Sequence, residues 1–353
     1  MKKVLAVVGA RPQFIKHAPI EIAFKGRFDL VTVHTGQHYD DNMSRIFFDQ
    51  LGMERPTHLL SVGSSGHGVQ TGRIMVELEP IMEQEKPDAV LVYGDTNSTL
   101  AGALVGSKMH IPIVHLEAGL RSYNKAMPEE INRVLTDHMS DLLLVPTAQA
   151  VENLRREGIV LNVHQCGDVM CDMIRIAERV LEAPRDLEPG GYAYATLHRP
   201  YNTDDPERLS TVLGALNGLS LPVLLALHPR TRHKMAQFGI SESSFSNITF
   251  LDPVSYFDNI AYLKNARALV TDSGGMQKEA YLLRTPCATV RSETEWVETL
   301  EHGWNRLFFH DLSKLEEVLH VKPDAYDPDV YGNGKAAQEI ADLIEAFLVG
   351  NGR

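Results

Sequence analysis

With 353 residues, 44% of them hydrophobic, the chain can bury two ordinary cores, since single domains run to about 100–200 residues. A formal net charge of -12 leaves no broad basic surface, so neither nucleic acid nor an anionic membrane is an expected partner, and any anionic ligand must be held by local cations. The three cysteines, Cys166, Cys171 and Cys287, form neither a disulfide framework nor a zinc-ligand spacing and read as core thiols in a reducing compartment. No run approaches the roughly 18 uninterrupted apolar residues of a membrane span, and the stretch Val4 to Val8 is too short for a signal-peptide core. A soluble, cytoplasmic protein is the expectation.

In chain order, the first strand is expected over Val4 to Val8, followed by a helix that starts at Arg11-Pro12. Leu30 to His34 comes next. Ala89 to Tyr93 and Ile113 to Leu116 are apolar runs that read as buried parallel strands, each feeding a Gly-containing turn at Gly94 and Gly119. Pro128 marks a first helical turn, with Ile131, Val134, Leu135 and Met139 expected as the apolar face behind it. Leu142 to Val145 is the next strand. A hinge is expected near Gly167 and Asp168, giving domains 1–167 and 168–353. Glu182 to Gly191, with two prolines and the pair Gly190-Gly191, reads as a surface loop. Strands then follow over Tyr192 to Thr196, Val223 to Leu227, Ile248 to Leu251, Ala268 to Thr271 and Cys287 to Val290. The last helix, Ala336 to Leu348, carries Ile340, Leu343, Ile344 and Phe347 at helical spacing and can dock on either half. Such alternation implies an α/β fold of βαβ units with parallel sheets.

The chain also echoes itself. Val7 to Pro12 (VVGARP) has a counterpart in Ala195 to Pro200 (ATLHRP), Leu91 to Thr99 in Ala268 to Gly275, and HIPIVHLEAG in RTPCATVRSETE. Two doubly wound, Rossmann-like halves facing one another account for all three in their shared order.

Three acids follow element boundaries. Asp95 and Glu117 come at strand C-terminal ends, where open α/β sheets bind ligands, and Glu129 falls in the first turn of the Pro128 helix. Each also has a local reading: Asp95 as a turn or N-cap acid, Glu117 as a solvated loop charge, Glu129 as a complement to the helix dipole. Three together, flanked by His115, Arg121 and Arg133, point to a site with Arg133 as a candidate substrate-binding group. Carboxylates sharing a crevice raise one another's pKa, which is one way to make a general acid near neutrality.

Val270 to Ala280 (VTDSGGMQKEA) reads as strand, Ser-Gly-Gly turn and helix. Ser273, Gly274 and Gly275 let backbone approach a diphosphate at a helix N-terminus, and Glu279 lies about one turn in, within reach of ribose hydroxyls. An ordinary glycine-rich turn is the competing reading. Neither a Walker pattern nor G-x-G-x-x-G is present. Arg11, Lys16 and His198 supply cations from the starts of the two halves, His198 having also the reading of a hydrogen-bonded loop histidine.

With these residues in view, the whole chain resembles the non-hydrolysing UDP-N-acetylglucosamine 2-epimerases, through GARPQFIKHAP, GDTNSTLAG, HLEAGLRS, MPEEINR, TDSGGMQKEA and YGNGKA. The resemblance implies two Rossmann-like domains of glycosyltransferase-B type, a UDP-sugar substrate, a homodimer, and neither metal nor nicotinamide cofactor. It implies Asp95, Glu117 and Glu129 as acid/base carboxylates, His198 acting at the diphosphate, Arg11, Lys16, Ser273, Gly274 and Gly275 contacting phosphates, and Glu279 contacting ribose. Two departures stand out. The family's Q-H-R run, associated with a second, regulatory UDP-sugar, reads Gln37-His38-Tyr39, and its E-R-P-E reads Glu295-Trp296-Val297-Glu298. Both segments look like the branch acting on UDP-2,3-diacetamido-2,3-dideoxyglucuronate.

The chemistry suits these residue types. A sugar C2 proton is barely acidic, and departure of UDP from C1 makes the adjacent C–H far more so. Elimination followed by re-addition, with the proton delivered from the other face, inverts C2. Such a route needs acids, a diphosphate clamp and shielding from water, as a closing cleft provides. Three other activities share parts of the pattern. A glycosyltransferase would require an acceptor, a hydrolysing epimerase would accumulate UDP and free sugar, and a sugar-nucleotide sensor would bind without turnover.

Overall fold

The structure, a computed structural model, describes residues 1–37, 53–181 and 187–350. The chain forms two compact units, one comprising Met1–Arg175 with the C-terminal segment from Pro328 onward, the other Ile176–Asp327.

Among the described residues, the first unit is built on a parallel sheet of seven strands: β1 (Lys2–Val8), β2 (Phe28–His34), β3 (His58–Leu59), β4 (Ala89–Tyr93), β5 (Ile113–Leu116), β6 (Leu142–Val145) and β7 (Val163–Gln165). Their order is β3-β2-β1-β4-β5-β6-β7, with Val4 opposite Ala89 and Val90 opposite Ile113. The central strands are buried on both faces, which is why they read as continuous apolar runs. Helices α1 (Arg11–Phe24), α2 (His67–Glu85), α3 (Asn97–Lys108), α4 (Pro128–Met139), α5 (Ala148–Arg156) and α6 (Val169–Val180) connect them. Ile74, Leu78 and Met82 of α2 and Ala101 and Val105 of α3 pack onto Leu5, Val7, Val90 and Val92.

The apolar face expected on α4 is not the one that is buried. Glu130, Asn132, Arg133, Thr136 and Asp137 face inward, while Ile131 and Leu135 are 48% and 46% exposed. The inward face satisfies a polar cluster described below, and those hydrogen bonds outweigh the transfer of two aliphatic side chains from water.

Helix α12 (Ala336–Gly350) completes this unit. It packs on α1 and β6 through buried Ile340 and Ile344. Asp342 and Glu345 pair with Arg27 at 2.8 and 2.5 Å. The Asp172 carboxylate of α6 accepts from Ala336 N and Ala337 N at 3.1 and 3.2 Å, capping the new helix. Gly167 and Asp168 are held by the returning chain, Asp168 N donating to Tyr331 O at 2.8 Å.

The second unit repeats the plan with six described parallel strands in the order β10-β9-β8-β11-β12-β13: β8 (Ala193–Leu197), β9 (Val223–Leu227), β10 (Ile248–Leu251), β11 (Ala268–Thr271), β12 (Cys287–Thr289) and β13 (Asn305–Leu307). Its helices include α7 (Pro200–Thr203), α8 (Pro206–Asn217), α9 (Pro229–Phe238), α10 (Tyr256–Asn265) and α11 (Gly274–Leu282). Alternation along β8 feeds two cores. Ala193, Ala195 and Leu197 pack on α8, and Tyr194 packs with Leu263, Met276 and Ala280 on the opposite face.

The sequence echoes fall on equivalent positions. β1 and β8 are the first strands, β4 and β11 lie beside them where strand order reverses, and β5 and β12 come next outward. The three cysteines are buried. Burial pushes Cys287 up to about 12, as expected of inert core positions.

Candidate functional site

In the first unit the candidate acids lie beyond the C-terminal ends of β4 and β5, at the topological switch point where such sheets place ligands. Gly94 has φ 60° and Glu117 has φ 69°. A left-handed residue other than glycine costs about 1–2 kcal/mol and persists where the surroundings enforce it. Here the conformation brings the Glu117 carboxylate over Gly94. A Cβ on Gly94 would stand 3.2 Å from Glu117 Oε2 and 3.5 Å from Lys16 Nζ. Lys16, projecting from α1, forms an ion pair with Glu117 Oε2, and both side chains are largely buried. Arg11 is the first residue of that helix.

Asp95 is held from the other side. Arg133 Nη2 lies 2.6 Å from Asp95 Oδ2, and Asn132 Nδ2 donates to the Asp95 carbonyl at 2.9 Å. Two consecutive residues of α4 thus dock that helix on the β4 turn, with half-buried Glu129 one turn ahead of them in its first turn. Arg133 also reaches Glu130 Oε2 at 3.1 Å. Burial raises the Glu130 carboxyl, but the Ser122 and Tyr123 N–H groups and Arg133 outweigh it and hold it below the ordinary value. Glu117 and Asp95 are therefore each paired with a cation.

His115 and Arg121, expected beside the acids, lie behind them as supports. The side chain of Asp137 is wholly buried between His115 Nδ1 at 2.6 Å and Arg121 Nη1 at 2.7 Å, and accepts from Gly119 N at 3.1 Å. Arg121 Nε and Nη2 continue to Glu157, both at 2.7 Å, and His115 Nε2 meets the Gly94 carbonyl at 2.7 Å. Burial raises the Asp137 carboxyl, yet His115 and Arg121 together bring it below its ordinary value. The network clamps both ends of the Glu117–Arg121 turn and ties it to Gly94.

In the second unit, Ser273 caps α11, its Oγ accepting from Met276 N at 3.5 Å. A Cβ on Gly275 would meet nothing within 4 Å, whereas one on Gly274 would collide with the Glu295 carboxylate. The glycines thus serve different ends: Gly275 leaves an open N-terminus, and Gly274 permits close packing of the loop after β12. Glu279 is buried within the same helix at 5% exposure. His198, following β8, has Nδ1 3.1 Å from Asp272 Oδ1. The Asp272 carboxylate also accepts from His198 N, Arg199 N and Asn202 Nδ2 at 3.0, 3.0 and 3.1 Å. Burial raises this carboxyl, and His198, Arg199 and Asn202 more than reverse the effect. Asp272 thus engages Nδ1 of His198 and fixes the orientation of its ring.

The family model described as UDP-N-acetylglucosamine 2-epimerase matches residues 21–345. UDP-2,3-diacetamido-2,3-dideoxy-D-glucuronate 2-epimerase of Pseudomonas aeruginosa is 44% identical over 354 residues, covering 97% of this chain and 99% of that protein. The chain belongs to the UDP-N-acetylglucosamine 2-epimerase family. This epimerase is also similar to the crystal structure of Methanocaldococcus jannaschii UDP-GlcNAc 2-epimerase in complex with UDP-GlcNAc and UDP, with a TM-score of 0.88 at 39% identity over 98% of this chain and 99% of that one. Its fold is of glycosyltransferase-B type and extends to the lipopolysaccharide outer core galactosyltransferase WaaB in its apo form, with a TM-score of 0.55 at 12% identity over 98% and 100% of the two chains.

Sequence reasoning on this epimerase passed over Asp272, Asn202 and the His115–Asp137 pair. Asp272 lay inside the TDSGG motif, and its place directly after a strand was the available signal. Asp137 and Asn202 carried none, because their partners are remote in sequence. Of the two departures from the family pattern, His38 and Tyr39 lie outside the described residues, while Gln37 accepts from Ser98 Oγ at 2.6 Å. Trp296 is buried with Lys278 Nζ 3.9 Å from its ring centroid. An aromatic face attracts that cation, where an arginine would set two positive charges face to face. Thr294 donates to Gln277 Oε1 at 2.7 Å, tying the same loop to α11, and Asn305 of β13 donates to the same oxygen at 3.0 Å.

Proposed function

We propose that the enzyme inverts C2 of a UDP-2-acetamido sugar without hydrolysis, with Asp95, Glu117 and Glu129 as its acid/base groups. The observation that carries this reading is Glu117: a buried, Lys16-paired carboxylate held in left-handed backbone over Gly94. Strain of that kind persists at sites where a side chain must be aimed. UDP would lie with its diphosphate at Ser273–Gly275, its ribose against Glu279 and His198 Nε2 near the phosphate oxygens.

In the elimination direction the C1–O bond breaks and its electron pair leaves with UDP, while a carboxylate takes the C2 proton. A C1–C2 double bond remains. In the return direction UDP oxygen re-forms the C1 bond and a second acid delivers a proton to the opposite face of C2. Atoms balance without an external oxidant, reductant or water. Turnover in deuterium oxide tests the route: product should carry deuterium at C2, and product retaining its original hydrogen would point to internal hydride return. Steady accumulation of free UDP would instead favour the hydrolysing reaction.

The substrate we favour is the 2,3-diacetamido glucuronate. The support is Trp296 seated on Lys278, which replaces the family arginine on the nucleotide side. Parallel assays should favour the uronate over UDP-N-acetylglucosamine by at least about 10²-fold in kcat/KM, since a site built for polar substituents is left unmatched by an analogue lacking them.

We further propose a homodimer. Helices α2, α3 and α4 lie side by side and expose Val69, Val76, Ile131 and Leu135 at 54%, 73%, 48% and 46%. A second copy presenting the same apolar face would cover it by two-fold pairing.

A further inference from the structure

The second unit contains a cavity of about 290 Å³ at the C-terminal ends of β12 and β13, lined by Arg291, Ser292, Leu307, Phe308, Phe309, His310, Asp311 and Lys314. No role assigned so far uses it. Its position is informative because Arg291 belongs to two places at once. The guanidinium is 3% exposed, pairs through Nη2 with Glu295 at 2.9 Å, and brings Nη1 to 3.5 Å from where a Gly274 Cβ would stand. The cavity therefore adjoins the helix N-terminus proposed for the diphosphate.

Its lining suits a small acidic sugar group. Lys314 supplies a positive charge at the rim, Arg291 adds guanidinium N–H groups beyond its pairing with Glu295, and Asp311 is the one carboxylate among the lining residues. Asp311 is already engaged, accepting from Ser313 N and Oγ at 3.0 and 2.5 Å. The buried Arg291 Nη1 has no hydrogen-bond partner, nor does Arg208 Nη2 on the guanidinium stacked 4.5 Å from the Phe309 ring centroid. Buried guanidinium N–H groups without acceptors are uncommon and mark places where an anion is accommodated. Phe308 and Phe309 add an apolar wall, and Tyr201 packs edge-on against Phe309 to fix that ring. A carboxylate carried on a sugar ring meets both requirements, whereas a second phosphate would leave the aromatic wall unused.

We infer that this cavity receives the C6 carboxylate end of the UDP-sugar, with Lys314 as the exposed cation at its rim and Arg291 as the buried donor. The inference rests on the uronate reading proposed above and supplies what Trp296 does not, namely the groups that hold the acid. Lys314 is exposed, so its substitution leaves the core untouched.

The test compares kcat/KM for the diacetamido uronate and for UDP-N-acetylglucosamine in wild type, Lys314→Met and Lys314→Arg. Loss of one charge-assisted contact should reduce the preference for the uronate about tenfold or more in Lys314→Met, with Lys314→Arg restoring most of it. UDP alone, which lacks the acid, should bind both variants as it binds wild type. A wild-type preference for the uronate that Lys314→Met leaves intact would overturn the cavity assignment and spare the substrate reading. Absence of that preference in the wild type would overturn both.

Discussion

Replacing Asp137 by Asn should be among the most damaging single-atom changes in the first unit. The side chain is wholly buried, and it contacts His115 at 2.6 Å, Arg121 at 2.7 Å and the Gly119 amide at 3.1 Å. Removing one partner of a buried ion pair costs about 3–5 kcal/mol because the remaining charge is left uncompensated. The lower end applies, since Arg121 keeps two 2.7 Å bonds to Glu157. A loss of about 3 kcal/mol corresponds to roughly 6–12 °C in Tm for a unit of this size. The sign with pH follows from the depressed carboxyl of Asp137. Its contribution is fully present above the ordinary Asp range, about 3.9, and disappears as pH falls through the lower folded value, so wild type and variant should converge in acid. Urea melts of both proteins, followed from neutral to acid pH, measure this directly. A difference below about 1 kcal/mol at pH 7 would show that the network contributes no more than a surface pair and would refute the reasoning.

Changing Asp95 to Asn, or Glu117 or Glu129 to Gln, should lower kcat by about 10²–10⁴-fold while leaving UDP affinity nearly intact; near-wild-type turnover in all three would remove the acid/base assignment. Ser273→Ala and Glu279→Gln should weaken UDP binding by about 1–3 kcal/mol in calorimetry, and unchanged affinity in both would place the nucleotide elsewhere. Leu135→Asp combined with Ile131→Asp should convert a dimer to monomer in light scattering; a dimer that persists would move the interface to another face.

The interior of each sheet was legible and its edges were not. Ala89–Tyr93, Ile113–Leu116, Leu142–Val145, Val223–Leu227 and Ala268–Thr271 have the bounds their apolar runs suggest, because burial on both faces leaves one composition that fits; Ile248–Leu251 is the one edge strand whose bounds were also read, although Thr249 is exposed. His58–Leu59, Val163–Gln165 and Asn305–Leu307 are short strands at or near the sheet edges, where partial exposure admits polar residues and removes the signal. Helix α4 misled for the opposite reason. Its aliphatic residues have helical spacing, but its inward face is decided by Asn132, Arg133 and Asp137, whose partners are Asp95, His115 and Arg121. No local pattern reports such pairings. The same limit applies to the site: motifs marked the strand ends where Asp95, Glu117, His198 and Asp272 lie, and gave no sign that Asp272 pairs with His198.

Helix α12 belongs to the first unit although nearly the whole of the second precedes it along the chain. Its two buried isoleucines, its pairing with Arg27 and its cap from Asp172 are available only after residues 176–327 have been made. On a ribosome, therefore, the second unit can collapse while the first still waits for its closing helix. A stop codon ahead of Ala336 would spare the later-made half and leave the earlier-made one unfinished. Damage at the tail of this protein would thus be felt at its head, where Lys16 and Glu117 depend on α1 keeping its seat.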